Sequence, residues 1–242
     1  MSVVVDACQP GRLARFWAAV LGWEVTYEDS DEVVVEIADE YGHWADTGVV
    51  PLVFVPVAEE KLGKNRVHLD LASSSPAAQT ATVERAMRLG GRRVDVGQGA
   101  APWEVLADPQ GNELCVLEPR AVYAGVTGIA AVVLDCLDPH GLAPFWQAAT
   151  GWEVDRTQVG VARLHDSERA ATALELVATS EPKTAKDRLH VDVAPRPGGA
   201  HPAEIARLAA LGARPVDVGQ RDVGWAVLAD PEGHEFCVLT PR

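Results

Sequence analysis

Between Pro10 and Gly22 apolar residues recur every three to four positions, so that Leu13, Phe16, Trp17, Val20 and Leu21 fall on one helical face before glycine supplies a stop. The β-branched run Val3 to Val5 before it reads as a strand. Short apolar or alternating stretches at 23–27, 32–37 and 51–57 predict three more strands. The order then restarts: Arg66 to Leu71 alternates as a strand, and Ala77 to Leu89 has a helical period ended by Gly90 and Gly91. Strands are expected at 92–96, 103–107 and 113–117. Asp108-Pro109-Gln110-Gly111 is a turn, with proline presetting its dihedral and glycine free to take positive φ.

The whole pattern occurs twice. Asp6, Phe16, Trp17, Gly22 and Trp23 reappear as Asp135, Phe145, Trp146, Gly151 and Trp152, an offset of 129 residues. Arg66, His68, Asp70, Trp103, Asp108, Glu113 and Cys115 reappear as Arg188, His190, Asp192, Trp225, Asp230, Glu235 and Cys237, an offset of 122 residues. Fixed order at nearly fixed offsets is duplication. The second copy has the better helix start, Asp138 at the cap and Pro139 at the first helical position. The reading is four βαβββ units, two per half, with halves at 1–120 and 125–242 and a linker within Pro119 to Thr127. Each cavity is expected to be enclosed by the two units of its own half, the halves differing most between Val35 and Pro56.

Composition narrows the function classes. A chain of 242 residues with 48% hydrophobic and 23% charged residues is globular, and no apolar run reaches membrane-spanning length. The amino terminus lacks the pattern of a secretory signal, so a cytoplasmic location and no membrane partner are expected. A net charge of −14 without any basic run argues against nucleic acid. None of the four cysteines forms a close Cys-x-x-Cys pair, and buried thiols are expected. A nucleophile elbow, a phosphate loop and a dinucleotide fingerprint are all missing from the sequence.

Candidate chemistry gathers on the strand at 66–71. Alternation puts Arg66, His68 and Asp70 on one face and Val67, Leu69 and Leu71 on the other. Glu113 and Cys115 are expected on the same face of a neighbouring strand. A carboxylate and an imidazole facing a partly dry pocket have tunable pKa values, as proton transfer needs. The same letters also describe a satisfied structural network, with Arg66 pairing Glu113 and Asp70. Arg188, His190, Asp192 and Glu235 repeat the set. Trp17 and Trp146 are expected in the core. Trp103 and Trp225, each after a Gly-rich loop, offer a flat wall for a planar ligand, and Tyr41 to Asp46, including Trp44, is the expected lid because only the first half carries it.

The Leu-Ala-Arg-Phe-Trp helix before Leu-Gly-Trp, the Lys-Asn-Arg-x-His-x-Asp strand at 64–70 and Asp-Pro-x-Gly-Asn-Glu-Leu-Cys-Val-Leu at 108–117 resemble the vicinal oxygen chelate superfamily, the glyoxalase and bleomycin-resistance fold. Almost the whole chain carries the resemblance, twice. It implies an α+β protein of two tandem glyoxalase-like domains, each a curved sheet around a cavity with helices outside. It also implies metal ligands, His, Gln or Glu, on the first strand of each unit and Glu on its last. Those positions fall on Ser2, Ala131, Cys115 and Cys237, which breaks the usual ligand set, so no metal and no cofactor are expected.

The expected partner is therefore a small organic ligand, planar or anionic, and the expected assembly a monomer with pseudo-twofold halves or a homodimer. Three functions stay open. One is a metal-independent enzyme, with His68, Asp70 or Glu113 as acid and base and Arg66 stabilising an enolate or carboxylate. Another is a drug-sequestering protein of the bleomycin-resistance type. The third is a metal-dependent lyase or dioxygenase with rearranged ligands such as His68, Asp70 and Glu113. The ligand-binding set is Trp103, Trp44, Arg188, His190, Asp192, Trp225 and Glu235.

Overall fold

The computed structural model describes residues 1–37, 48–168, 171–195, 198–220 and 223–240, without the side chains of 155–157. The expected lid at 41–46, and residues 38–47 of the segment in which the halves were expected to differ, lie outside these residues.

Four βαβββ units follow one another. The first is β1 (Ser2–Ala7), α1 (Pro10–Leu21), β2 (Glu24–Glu28), β3 (Val33–Glu36) and β4 (Leu52–Pro56); the second is β5 (Val67–Leu71), α2 (Pro76–Arg88), β6 (Arg92–Arg93), β7 (Glu104–Ala107) and β8 (Glu113–Val116). The third is β9 (Ile129–Cys136), α3 (Pro139–Thr150), β10 (Glu153–Gln158), β11 (Val161–His165) and β12 (Ala173–Ala178); the fourth is β13 (Leu189–Val193), α4 (His201–Ala210), β14 (Arg214–Pro215), β15 (Ala226–Ala229) and β16 (Glu235–Val238). Gly22 and Gly151 end α1 and α3 in the left-handed region, and the Asp138 side chain accepts from the Gly141 amide at 3.0 Å.

The units pair across the halves. One eight-stranded sheet, sheet A, runs β14-β15-β16-β13-β1-β4-β3-β2, joining the first unit to the fourth. Sheet B runs β10-β11-β12-β9-β5-β8-β7-β6, joining the third unit to the second. The expectation that each half encloses its own cavity is thereby corrected. Within one half the units meet through their helix-bearing sides, since α1 packs on α2 and α3 on α4. Arg85 and Arg207 reinforce these contacts by donating to the Val20 and Ala148 carbonyls at 2.8 and 2.9 Å. Two units packed that way turn their helix-free faces apart, so each face is completed by a unit of the other half. The Lys64–Asp135 and Lys186–Asp6 ion pairs cross the same boundary.

One core runs between the sheets. Val3 and Val5 of sheet A, Val67, Leu69 and Leu71 of sheet B, and Phe16, Trp17, Phe145 and Trp146 of the helices belong to it. The two helix tryptophans are core, as the period predicts, and each also fastens a turn. The Trp17 indole donates to Asp108 at 3.2 Å and the Trp146 indole to Asp230 at 3.1 Å, tying the first helix of each half to the last turn of that half. A cavity among the described residues between the sheets, lined by Val67, Leu134, Leu174, Trp146 and His234, is about 10 Å³, room for one water at most.

Cross-half pairing makes the halves interdependent. Residues 1–118 expressed alone are expected to self-associate, the first unit of one copy pairing with the second unit of another, because a lone half leaves β1 and β5 as bare, apolar edges. Light scattering coupled to size exclusion checks this. A folded monomeric half would contradict it.

Candidate functional site

On the helix-free face of each sheet, here called a cup, strand register gathers a histidine, an aspartate and a cysteine. In sheet B, His68 and Asp70 lie on β5, and β8 runs parallel beside it with Cys115 opposite Asp70. In sheet A, β13 carries His190 and Asp192, and β16 places Cys237 opposite Asp192. The neighbour on the other flank comes from the other half, Ala131 opposite Asp70 and Ser2 opposite Asp192. Of the four positions at which the resemblance implies metal ligands, Cys115 and Cys237 thus belong to the trios, and Ala131 and Ser2 border them.

In each trio one nitrogen, one carboxylate oxygen and the sulfur lie within 4.8 Å of one another. In cup A the His190 Nε2 is 3.4 Å from Cys237 Sγ and 3.6 Å from Asp192 Oδ1. In cup B the His68 Nε2 is 3.5 Å from Asp70 Oδ1. In a nucleophilic triad one ring nitrogen faces the thiol while the other is held by the carboxylate. Here thiol and carboxylate converge on the same nitrogen, which suits a shared centre and not a relay. Ligand bonds of 2.0–2.3 Å in a tetrahedron give edges of about 3.3–3.6 Å, and the cup A distances match.

The electrostatics tell the same story. The Oδ1 atoms of Asp70 and Asp192 are buried without a hydrogen-bond partner. A buried carboxylate oxygen without a partner is costly, and a cation removes the cost. Burial pushes Asp192 up to about 7 and His190 down to about 4. Burial, followed by the nearby aspartate charge, raises both the Cys115 and the Cys237 thiol far above the usual range. Without a cation, burial biases the cup A groups toward their neutral forms. A divalent ion favours the thiolate, the carboxylate and the neutral imidazole together. The donor set present therefore fits a metal, with Cys115 and Cys237 in place of the Glu113 of the alternative set.

Several expected site residues stand elsewhere. Glu113 accepts from Lys61 Nζ at 2.8 Å and from the Asn65 amide at 3.2 Å, and Glu235 does the same with Lys183 at 2.8 Å and the Asp187 amide at 3.1 Å. These carboxylates clamp the loops that lead into β5 and β13, and neither joins a trio. Arg66 precedes β5 and reaches the Glu181 carbonyl; Arg188 donates to the Glu59 and Asp6 carbonyls at 2.7 and 2.9 Å. The arginines bond backbone across the halves, which removes the assigned enolate-stabilising role. Trp103 packs on the buried cluster of cup B with the Arg120 guanidinium 5.4 Å from its ring centre, whereas Trp225 is 44% exposed. Trp44 lies outside the described residues. All four cysteines are free, with Cys8 exposed and the other three buried.

Sequence reasoning missed a second polar group in cup B. The linker forms a 3-10 turn at Ala121–Tyr123 that puts the Tyr123 hydroxyl 2.5 Å from Glu175, with the Arg163 guanidinium 5.3 Å from the tyrosine ring centre. Burial raises the pKa of both Tyr123 and Glu175. These residues are not shared between the halves, so the repeat gave no sign of them.

The profile of the family described as "Glyoxalase-like domain" matches residues 2–117 and again 131–239. The chain belongs to the glyoxalase-like domain family. Its tandem arrangement, α+β architecture and place in the vicinal oxygen chelate superfamily follow. Among solved structures, glyoxalase I from Zea mays superposes with a TM-score of 0.67 at 15% identity, covering 99% of this chain and 91% of that one. A putative dioxygenase from Bacillus subtilis superposes with a TM-score of 0.62 at 15% identity, covering 100% of this chain and 84% of that one. At such identity these likenesses concern the fold. No curated protein matches the sequence. Among the described residues of this glyoxalase-like protein no helix is long and apolar enough to cross a membrane.

Proposed function

We propose that this glyoxalase-like protein is a metal-dependent enzyme acting on a small organic molecule, with a divalent ion held by His190, Asp192 and Cys237 in cup A and by His68, Asp70 and Cys115 in cup B. The convergence on one Nε2 of Sγ and of an aspartate Oδ1 that has no hydrogen-bond partner carries this reading. Of the three functions left open by the sequence it favours the metal-dependent one with rearranged ligands. A donor set of imidazole, carboxylate and thiolate is softer than the two-histidine, one-carboxylate set of iron oxygenases and suits zinc. Lyase or isomerase chemistry is therefore favoured over dioxygenation. When bound, such an ion polarises a carbonyl or enolate oxygen.

The surrounding residues orient the donors. Ser2 donates to Asp192 Oδ2 at 3.4 Å, turning Oδ1 toward His190. Asp70 and Asp192, 6% and 7% exposed, are kept from bulk water that would compete for the ion. The cytoplasmic location and a small-molecule partner belong to the same reading.

Cobalt is the probe that separates this reading from a metal-free cup. Protein loaded with Co²⁺ is expected to show a sulfur-to-cobalt charge-transfer band in the near ultraviolet. Cys237→Ser is expected to remove about half of its intensity, and Cys115→Ser the remainder, because thiolate is the source of the band. An absorption spectrum unchanged by both substitutions would count against thiolate ligation.

A further inference from the structure

Resting on the metal-cup reading, we propose that the cups are specialised: the linker closes cup B, and cup A alone takes the organic ligand, a molecule with an apolar body whose oxygen donor reaches the His190–Asp192–Cys237 trio.

The register makes the comparison position by position. Across sheet B one row reads His68, Val133, Glu175, Arg163; across sheet A the matching row reads His190, Val4, Val53, Val34. A carboxylate and a guanidinium in cup B thus stand where cup A has two valines. The carboxylate and guanidinium are engaged from within the chain. Glu175 accepts the Tyr123 hydroxyl, Arg163 lies over the tyrosine ring, and Val122 and Val126 of the linker pack into the same cluster as Cys115 and Val133. Tyr123 and Arg163 are each 5% exposed.

Cup A keeps its wall accessible. Val34 is half-buried where its counterpart Arg163 is buried, while Val53 and its counterpart Glu175 are both half-buried. Leu239 is half-buried where its repeat partner Leu117 is buried, and Trp225 is exposed where Trp103 is half-buried. Accessible valines beside a buried polar trio make an amphipathic receptacle, apolar along the wall and polar at one end, which is the usual form of a small-molecule site. A ligand with a charged body is disfavoured there, since the valines offer it no compensating hydrogen bond. The duplicated chain has kept the trio twice and the open wall once.

The test uses 2-naphthohydroxamic acid, an apolar bicyclic body with an oxygen donor pair, titrated calorimetrically into the full chain with and without Zn²⁺ while bound zinc is counted by elemental analysis. One probe per chain is expected. Val53→Glu, which imports the cup B residue, is expected to weaken binding roughly tenfold or more, and the milder Val53→Thr to weaken it by a smaller factor. Both should keep the wild-type zinc count, which controls for folding. Glu175→Val should leave the wild-type affinity unchanged. Tyr123→Ala, which removes the plug, should raise the stoichiometry toward two. Binding lost on Glu175→Val and indifferent to Val53→Glu would overturn the inference, as would two probes on the wild-type chain, or none on zinc-loaded chain. Binding that is independent of zinc yet lost on Val53→Glu would leave the inference standing and sink the metal reading.

Discussion

Replacing Asp108 with alanine is expected to destabilise the protein by about 3–5 kcal/mol, and Asp230→Ala to do the same in the other half. Asp108 is fully buried and accepts four hydrogen bonds: from the Gln110 amide at 2.8 Å, the Asn112 amide at 3.0 Å, the Asn112 side chain at 2.9 Å and the Trp17 indole at 3.2 Å. Alanine leaves all four donors without this acceptor, three of them buried away from water. The loss would also free α1 from the turn that leads into β8, and with it the alignment of Cys115. For a chain of this size the change corresponds to roughly 6–20 °C in Tm. Asp108→Asn keeps one acceptor but turns an amide N–H₂ toward donors, so a smaller loss is expected. Urea unfolding of the three variants measures these effects. A loss below about 1 kcal/mol for Asp108→Ala would show that the donors find other partners.

Zinc is expected to raise the Tm of the wild-type protein strongly, and the double variant Asp70→Asn/Asp192→Asn is expected to lose that response. A site bound at a free metal concentration a hundredfold above its Kd contributes about 2.7 kcal/mol, and two sites about twice that. At roughly 2–4 °C per kcal/mol the wild-type shift is on the order of 10–20 °C. Asparagine preserves the volume of each aspartate but offers a neutral amide, a much poorer ligand. In the absence of metal the double variant should be no less stable than the wild type, because the orphaned Oδ1 atoms no longer belong to ionisable buried groups. Thermal unfolding with and without zinc reads both effects. Equal shifts in wild type and double variant would place any bound zinc elsewhere.

The helical period of 10–21 and the alternation of 67–71 were legible because one face of each element meets the core and the other does not. Asp70 and Cys115 were both assigned to one face from alternation alone. Glu113, expected as an acid-base residue and as an alternative ligand, stands apart from the trio for a local reason: Lys61 and the Asn65 amide hold it at the entrance to β5. Which unit pairs with which was not legible. Alternation fixes the buried face of a strand but not the neighbour at its edge, and α1 against α2 decides that here. Nor did anything in the linker composition mark Tyr123 as a cup residue, since its partners Glu175 and Arg163 lie far along the chain.

The central claim, that each trio holds a divalent ion, is tested most directly by counting metal in chain purified with zinc and then freed of loose ions by gel filtration. Two zinc per chain are expected for the wild type, one for His190→Ala, one for His68→Ala and none for the pair combined. Wild-type protein that is folded and retains no metal, or a count that the histidine substitutions do not change, would contradict it.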